Sequence, residues 1–104
     1  MATGRLAAVS LSATTYTSIY TNASNYAVCS VTICNQNSSP TTIRLSISTT
    51  PTSPATAEFI EYGTVIPANG VLERTGLVLS PSTGSISAYS TLANVSVVVY
   101  GIES

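Results

Sequence analysis

The sequence predicts an all-β chain folded as a single antiparallel β-sandwich of about eight strands, with jelly-roll or immunoglobulin-like connectivity. Three observations carry that prediction. Helical periodicity is almost absent; two-residue alternation rich in Val, Ile, Thr and Tyr recurs along the chain; and turn-forming clusters interrupt it at fairly even spacing. With 104 residues, of which 44% are hydrophobic, the chain is large enough for one domain, 1–104, with a core that needs neither disulfide nor metal.

The first strand runs from Leu6 to Leu11. It follows Arg5 as the core of a secretory signal does, but it is short and broken by Ser10, which fits a strand better. A second strand, Thr15 to Tyr20, places Tyr16 and Tyr20 at even positions, where they would cap a sheet edge or pack against a neighbour. The third, Tyr26 to Cys34, ends in Asn35-Gln36-Asn37-Ser38-Ser39-Pro40, where Asn tolerates left-handed angles and Pro denies a sheet its donor, so the chain should reverse.

The fourth strand, Thr41 to Ser48, sorts Ile43, Leu45 and Ile47 onto a buried face and Thr42, Arg44, Ser46 and Ser48 onto a wet one. Thr49 to Ala57 carries Pro51 and Pro54 and is the longest expected loop, suited to a crossover between sheets. A fifth strand, Glu58 to Tyr62, leads to the turn Pro67-Ala68-Asn69-Gly70, with Gly70 available for positive φ. The sixth, Val71 to Leu79, leads to a similar turn, Pro81-Ser82-Thr83-Gly84. Ser85 to Tyr89 is the seventh strand. The last, Val95 to Ile102, is apolar on both sides over most of its length, which places it at the centre of a sheet or under a neighbouring subunit.

Charge is scarce. Arg5, Arg44, Arg74, Glu58, Glu61, Glu73 and Glu103 are the whole set, for a net charge of -1, and Lys, Asp, His and Trp do not occur. Three isolated Arg residues interleaved with Glu form no stripe for phosphates, which argues against nucleic acid as a partner. No apolar run approaches the roughly 20 residues of a membrane-spanning helix, so no membrane partner is expected. A surface wetted by hydroxyls and amides repels its own copies weakly, which suits a homo-oligomer or a subunit of an assembly.

The same scarcity removes chemistry. Nucleophilic catalysis by Ser or Cys ordinarily draws on His or Lys, and neither is present. A pair of carboxylates for glycoside hydrolysis would have to come from Glu58, Glu61 and Glu73. Glu58 and Glu61 are three residues apart and face opposite ways on a regular strand. Glu61 and Glu73 meet only if their strands pair, and Arg74 and Arg44 are at hand for ion pairs. The expectation is therefore no enzyme activity and no cofactor, with Arg44, Glu58, Glu61, Glu73 and Arg74 as ion-pair or interface residues.

Cys29 and Cys34 lie on one predicted strand, on opposite faces and about 16 Å apart, well beyond the roughly 7 Å that a disulfide spans. Cys29 shares its face with Val31 and Ile33 and reads as a buried thiol. Cys34, near the turn, is the more accessible and the one open to a bond with another copy. Two Cys without His fall short of a zinc site. Chance alone supplies about two sequons in a chain where nearly one residue in three is Ser or Thr, so the three at Asn22, Asn37 and Asn94 add little to a case for secretion. Six Tyr and one Phe are compatible with a sugar-stacking face, although interior and interface roles fit them better.

VTICN at Val31 to Asn35, TTIRLSIS at Thr41 to Ser48, AEFIEYGTVIPANGVLERTGLVLS at Ala57 to Ser80 and the ending VSVVVYGIES together resemble small all-β virion proteins of tailed bacteriophages. PANGVLERTG, Pro67 to Gly76, is the segment most like that family. The resemblance implies a non-enzymatic structural protein of the virion, foremost a head-decoration or cement protein partnered with the major capsid protein. The alternative it implies is a tail or fibre module that binds the host surface through loop hydroxyls and Tyr. A secreted adhesin or pilin-like subunit is a third class. Natural monomers commonly guard sheet edges with charge, and that guard looks thin here, so edges and apolar patches are expected to be covered in the assembly. The middle-strand charges would then fix the register of a neutral contact, and Arg74→Glu would impair assembly more than folding.

Overall fold

A computed structural model describes residues 3–81 and 84–104. Eight strands form in the predicted order: β1 (Thr3–Leu11), β2 (Thr17–Thr21), β3 (Ala27–Asn35), β4 (Thr41–Ser48), β5 (Phe59–Ile66), β6 (Val71–Leu79), β7 (Ser85–Ser90) and β8 (Val95–Glu103). They make two four-stranded antiparallel sheets, β1-β8-β3-β6 and β2-β7-β4-β5. β1 pairs with β8, β2 with β7, β3 with β6 and β4 with β5, as if one long hairpin had been wrapped into a sandwich. That is the jelly roll, so of the two connectivities expected this one is realised.

The core lies between the sheets. Val31 and Ile33 of β3, Val95, Val97 and Val99 of β8, Ile43 and Leu45 of β4 and Ile86 of β7 are all at most 1% exposed. β8 sits at the centre of its sheet, between β1 and β3, as its apolar run predicts, with Val95, Val97 and Val99 in the core and Tyr100 and Ile102 exposed on the outer face. Cys29 is buried and Cys34 half-buried, and both thiols are free, as their spacing requires.

Wrapping reverses the expected roles of two connections. Thr49 to Ala57 is not a crossover, because β4 and β5 are neighbours in one sheet. It folds over the outer face of that sheet instead. The Pro51 carbonyl accepts from the Ser87 hydroxyl, and Ser48 Oγ donates to Glu58 Oε1 at 2.6 Å. Glu58 stands in a 3-10 turn, Thr56–Glu58, rather than in a strand, and also accepts from Ala55 N at 2.8 Å. Ser46 and Ser48, expected to be wet, are buried beneath this cover. The turn after β3 does not return the chain to its own sheet but carries it into the other one. At Pro67–Gly70, Gly70 N donates to the Pro67 carbonyl at 2.9 Å, and Asn69, with φ +58, takes the left-handed angle expected of Gly70. The turn Pro81-Ser82-Thr83-Gly84 lies partly outside the described residues.

Every edge strand carries a bulge, and the two central pairings carry none. The extra residue is Leu6 in β1, Ile19 in β2, Ile60 and Gly63 in β5, and one of Thr75 and Gly76 in β6, whereas β3 with β8 and β4 with β7 keep an unbroken register. A bulge twists the edge and spoils the row of backbone groups that another strand would need. The edges are thus guarded by geometry where charge is scarce. The bulges also explain two misreadings. Gly63 at φ +77 resembles a strand end, yet β5 runs on to Ile66. The extra residue at Ile19 turns Tyr20 toward the core while Tyr16 stays on the outer face, so equal parity does not put them together.

Candidate interaction surfaces

The outer face of the β1-β8-β3-β6 sheet is read from its register. Val78 of β6 stands beside Val28 of β3, which stands beside Ile102 of β8. Further along come Ser30 and Tyr100, then Glu73, Thr32 and Val98, then Val71, Cys34 and Ser96. Val78 is 63% exposed, Val71 59% and Ile102 47%, with Val28 and Tyr100 also exposed. The charges on this face are Glu73, which accepts from Tyr100 OH at 2.9 Å and Thr32 Oγ1 at 3.4 Å, and exposed Arg5 of β1, which stands opposite Tyr100. Scattered apolar side chains on a surface mean little, whereas this row forms a continuous exposed apolar patch across three strands.

The opposite outer face, on β4 and β7, has a different chemistry. Arg44 projects from β4 between two rings. Its guanidinium carbon is 4.4 Å from the centre of Tyr62 on β5 and 4.8 Å from that of Tyr89 on β7, and Nη1 donates to Tyr16 OH at 2.7 Å. Tyr16 packs on Tyr89 at 4.8 Å and on Phe59 at 6.0 Å, and Phe59 meets Tyr62 edge-on at 5.1 Å. The hydrogen bond that Arg44 donates to Tyr16 OH favours the charged guanidinium, against a smaller opposing push from burial.

The remaining expected ion-pair residues divide. Glu61 and Glu73 do not meet, because β5 and β6 lie in different sheets. Glu61 pairs with Arg74 instead, Oε2 to Nη1 at 2.5 Å, within the chain. Glu61 stands opposite buried Leu45 and Arg74 opposite buried Val31, so both point inward from edge strands of opposing sheets and close the rim of the sandwich. Inward charge of this kind is a second guard against edge pairing. Glu103 of β8 accepts from Tyr20 OH of β2 and ties the sheets elsewhere, and burial, with that bond, pushes the Tyr20 phenol up.

The Thr64 hydroxyl, donating at 2.6 Å, and then Arg74 hold the Glu61 carboxyl below its usual range, against a smaller opposing push from burial. A carboxyl depressed in the folded state stabilises the fold above its unfolded value of about 4.3, and that contribution is lost as pH falls through the folded value. Glu61→Gln is accordingly expected to cost about 1 kcal/mol at pH 7. In thermal melts the gap to the parent chain should close as pH falls from 5 to 3. A gap unchanged by pH would contradict this account.

Two asparagines escaped the sequence reading as structural residues. Asn22 and Asn35 are fully buried, and each spends its side chain on backbone groups of a neighbouring connection. The repeated pattern of Asn followed two residues later by Ser24 or Asn37 was the available signal, since it marks a side chain folding back on its own backbone. The Arg44 cage had none, because Tyr16, Tyr62 and Tyr89 meet only through cross-strand register. No family model, curated protein or solved structure matches the chain.

Proposed function

We propose that this chain is a non-enzymatic structural protein of a tailed-phage virion, a head-decoration or cement protein that docks through the outer face of the β1-β8-β3-β6 sheet. The observation that carries the reading is the row Val78, Val28 and Ile102 on a chain of net charge -1. With bulged edges and inward rim charges, the edges are poor sites for association and the flat face is the better one. Burial of exposed valine, isoleucine and tyrosine there gains about 25 cal/mol per Å² of apolar surface, with few charges to desolvate. Glu73, held by Tyr100 and Thr32, supplies a fixed polar mark for register. The sequence adds support, since the jelly roll it encodes is common to viral capsid and lectin domains, although a fold alone assigns no function. The carboxylates are engaged by hydroxyls, backbone or Arg74, an arrangement that suits structure rather than acid-base work.

Val78→Glu tests the reading. The side chain is exposed and outward, so the melting temperature should stay within a few degrees of the parent. Self-association in sedimentation velocity, and co-sedimentation with heads of the phage that encodes the chain, should fall at least about tenfold. A parent chain that stays monomeric at high concentration and binds neither heads nor tails overturns the proposal. Tails bound in place of heads would overturn the cement role and leave a tail-associated one.

A further inference from the structure

The Arg44 cage lies on the sheet opposite the proposed docking face, and its charge is unanswered. Glu58 is taken by Ser48 and Ala55, Glu61 by Arg74 and Thr64, Glu73 by Tyr100 and Thr32, and Glu103 by Tyr20. Among the described residues the ion pair is Glu61 with Arg74, and no carboxylate reaches Arg44. A guanidinium is a planar fork of N–H donors suited to binding a carboxylate through two parallel bonds. In Arg44 one donor goes to Tyr16 OH, and the rings of Tyr62 and Tyr89 flank the group. Much of the entropy that a free arginine loses on binding is already lost here.

We propose that this cage binds a carboxylate-bearing saccharide, such as a uronic or sialic acid. The carboxylate meets the open edge of the Arg44 fork, and the sugar lays its C–H face on Tyr62, whose side is 63% exposed. Aromatic rings present large apolar planes with polar tips, which suits a ring that is apolar on its face and hydroxylated at its rim. Thr42, on the same outer face of β4, places a hydroxyl beside the platform for that rim. An extended acidic peptide is the poorer occupant, because the neighbouring edge strands β5 and β2 are both bulged and offer no regular ladder for its backbone. The inference is independent of the structural role, since the two surfaces lie on opposite faces.

The test is titration of the chain, followed by ring and guanidinium NMR resonances, with sialyllactose, with trigalacturonate and with the methyl esters of both. Binding of at least one acid should shift Tyr62, Tyr89 and Arg44, vanish on esterification, and weaken at least about tenfold in Tyr62→Ala and Arg44→Gln. Arg44→Lys, which keeps the charge and loses the fork, should weaken it as well. Lack of response to either acid overturns the proposal, as does equal binding of the esters or equal binding of a Glu-rich peptide. The ester comparison uses the parent chain, so it decides even if an Arg44 variant misfolds. Val78→Glu should bind the saccharide like the parent, and its loss of assembly alone would bear only on the docking face.

Discussion

Gly101→Ala is expected to lower the melting temperature by about 20 °C, corresponding to about 4 kcal/mol at this chain length. Gly101 lies in β8 at the centre of its sheet, between Gly4 of β1 and Cys29 of β3. A methyl group built there falls 2.1 Å from the Val28 carbonyl oxygen and 2.7 Å from the Cys29 Cα. Those atoms are backbone, and they belong to a strand paired on both sides in unbroken register on the β8 side, so no rotamer change relieves the clash. The strands must separate and give up ladder bonds at the middle of the sheet. Differential scanning calorimetry on the parent and variant measures the effect, and a shift below about 5 °C would show that β3 and β8 can part at little cost.

Asn35→Asp is expected to do comparable damage by charge rather than by volume. Asn35 Nδ2 donates to the carbonyls of Ser39 at 2.9 Å, Pro67 at 3.1 Å and Ile66 at 3.2 Å, and Oδ1 accepts from Asn37 N and Nδ2, each at 3.0 Å. One amide thereby joins the end of β3, the connection to β4 and the end of β5. The carboxyl is nearly the same shape, but it turns an oxygen toward three carbonyl oxygens in a fully buried site. The loss at pH 7 should be about 4 kcal/mol, and about 3 kcal/mol for Asn35→Ala, which leaves the carbonyls unpaired without adding charge.

The pH dependence separates the two causes. Burial among carbonyls raises the introduced carboxyl above its unfolded value of about 3.9. A raised acid destabilises the fold above its folded value, and the penalty is relieved as pH falls through the folded value toward the unfolded one. The gap between Asn35→Asp and the parent should therefore narrow from pH 7 to pH 4, whereas that of Asn35→Ala should not. Chemical denaturation at both pH values would refute the account if the two variants behaved alike.

Much of the architecture was legible residue by residue. Strict alternation at Ile43, Leu45 and Ile47 found β4, the run at Val95 to Ile102, apolar on both sides over most of its length, found a central strand, and the spacing of Cys29 and Cys34 set the two thiols on opposite faces. These signals are local, because a strand's two faces alternate whatever it pairs with. What failed was also consistent in kind. The pattern ends the fifth strand at Tyr62, whereas Gly63 is a bulge and β5 runs on to Ile66, and it makes Thr49 to Ala57 a crossover, whereas the segment covers one sheet. Arg74, expected in an ion pair or at an interface, pairs with Glu61 inside the rim. With Glu61 as its partner, Arg74→Glu brings two carboxylates together and burdens folding directly.

The sequence by itself determined an all-β sandwich, the order and nearly the limits of its strands, a buried Cys29, and the lack of His and Lys that leaves its hydroxyls without a usual base. Only the tertiary structure decided that the hairpin wraps as a jelly roll, that every edge is bulged, that Asn22 and Asn35 knit the connections, and that Arg44 stands between Tyr62 and Tyr89. The physical reason is the range of the interactions. Alternation and turn preference are written in neighbouring residues, whereas register, bulges and cages arise when residues far apart in sequence compete for the same partners, and one extra residue in an edge strand changes which side chains meet.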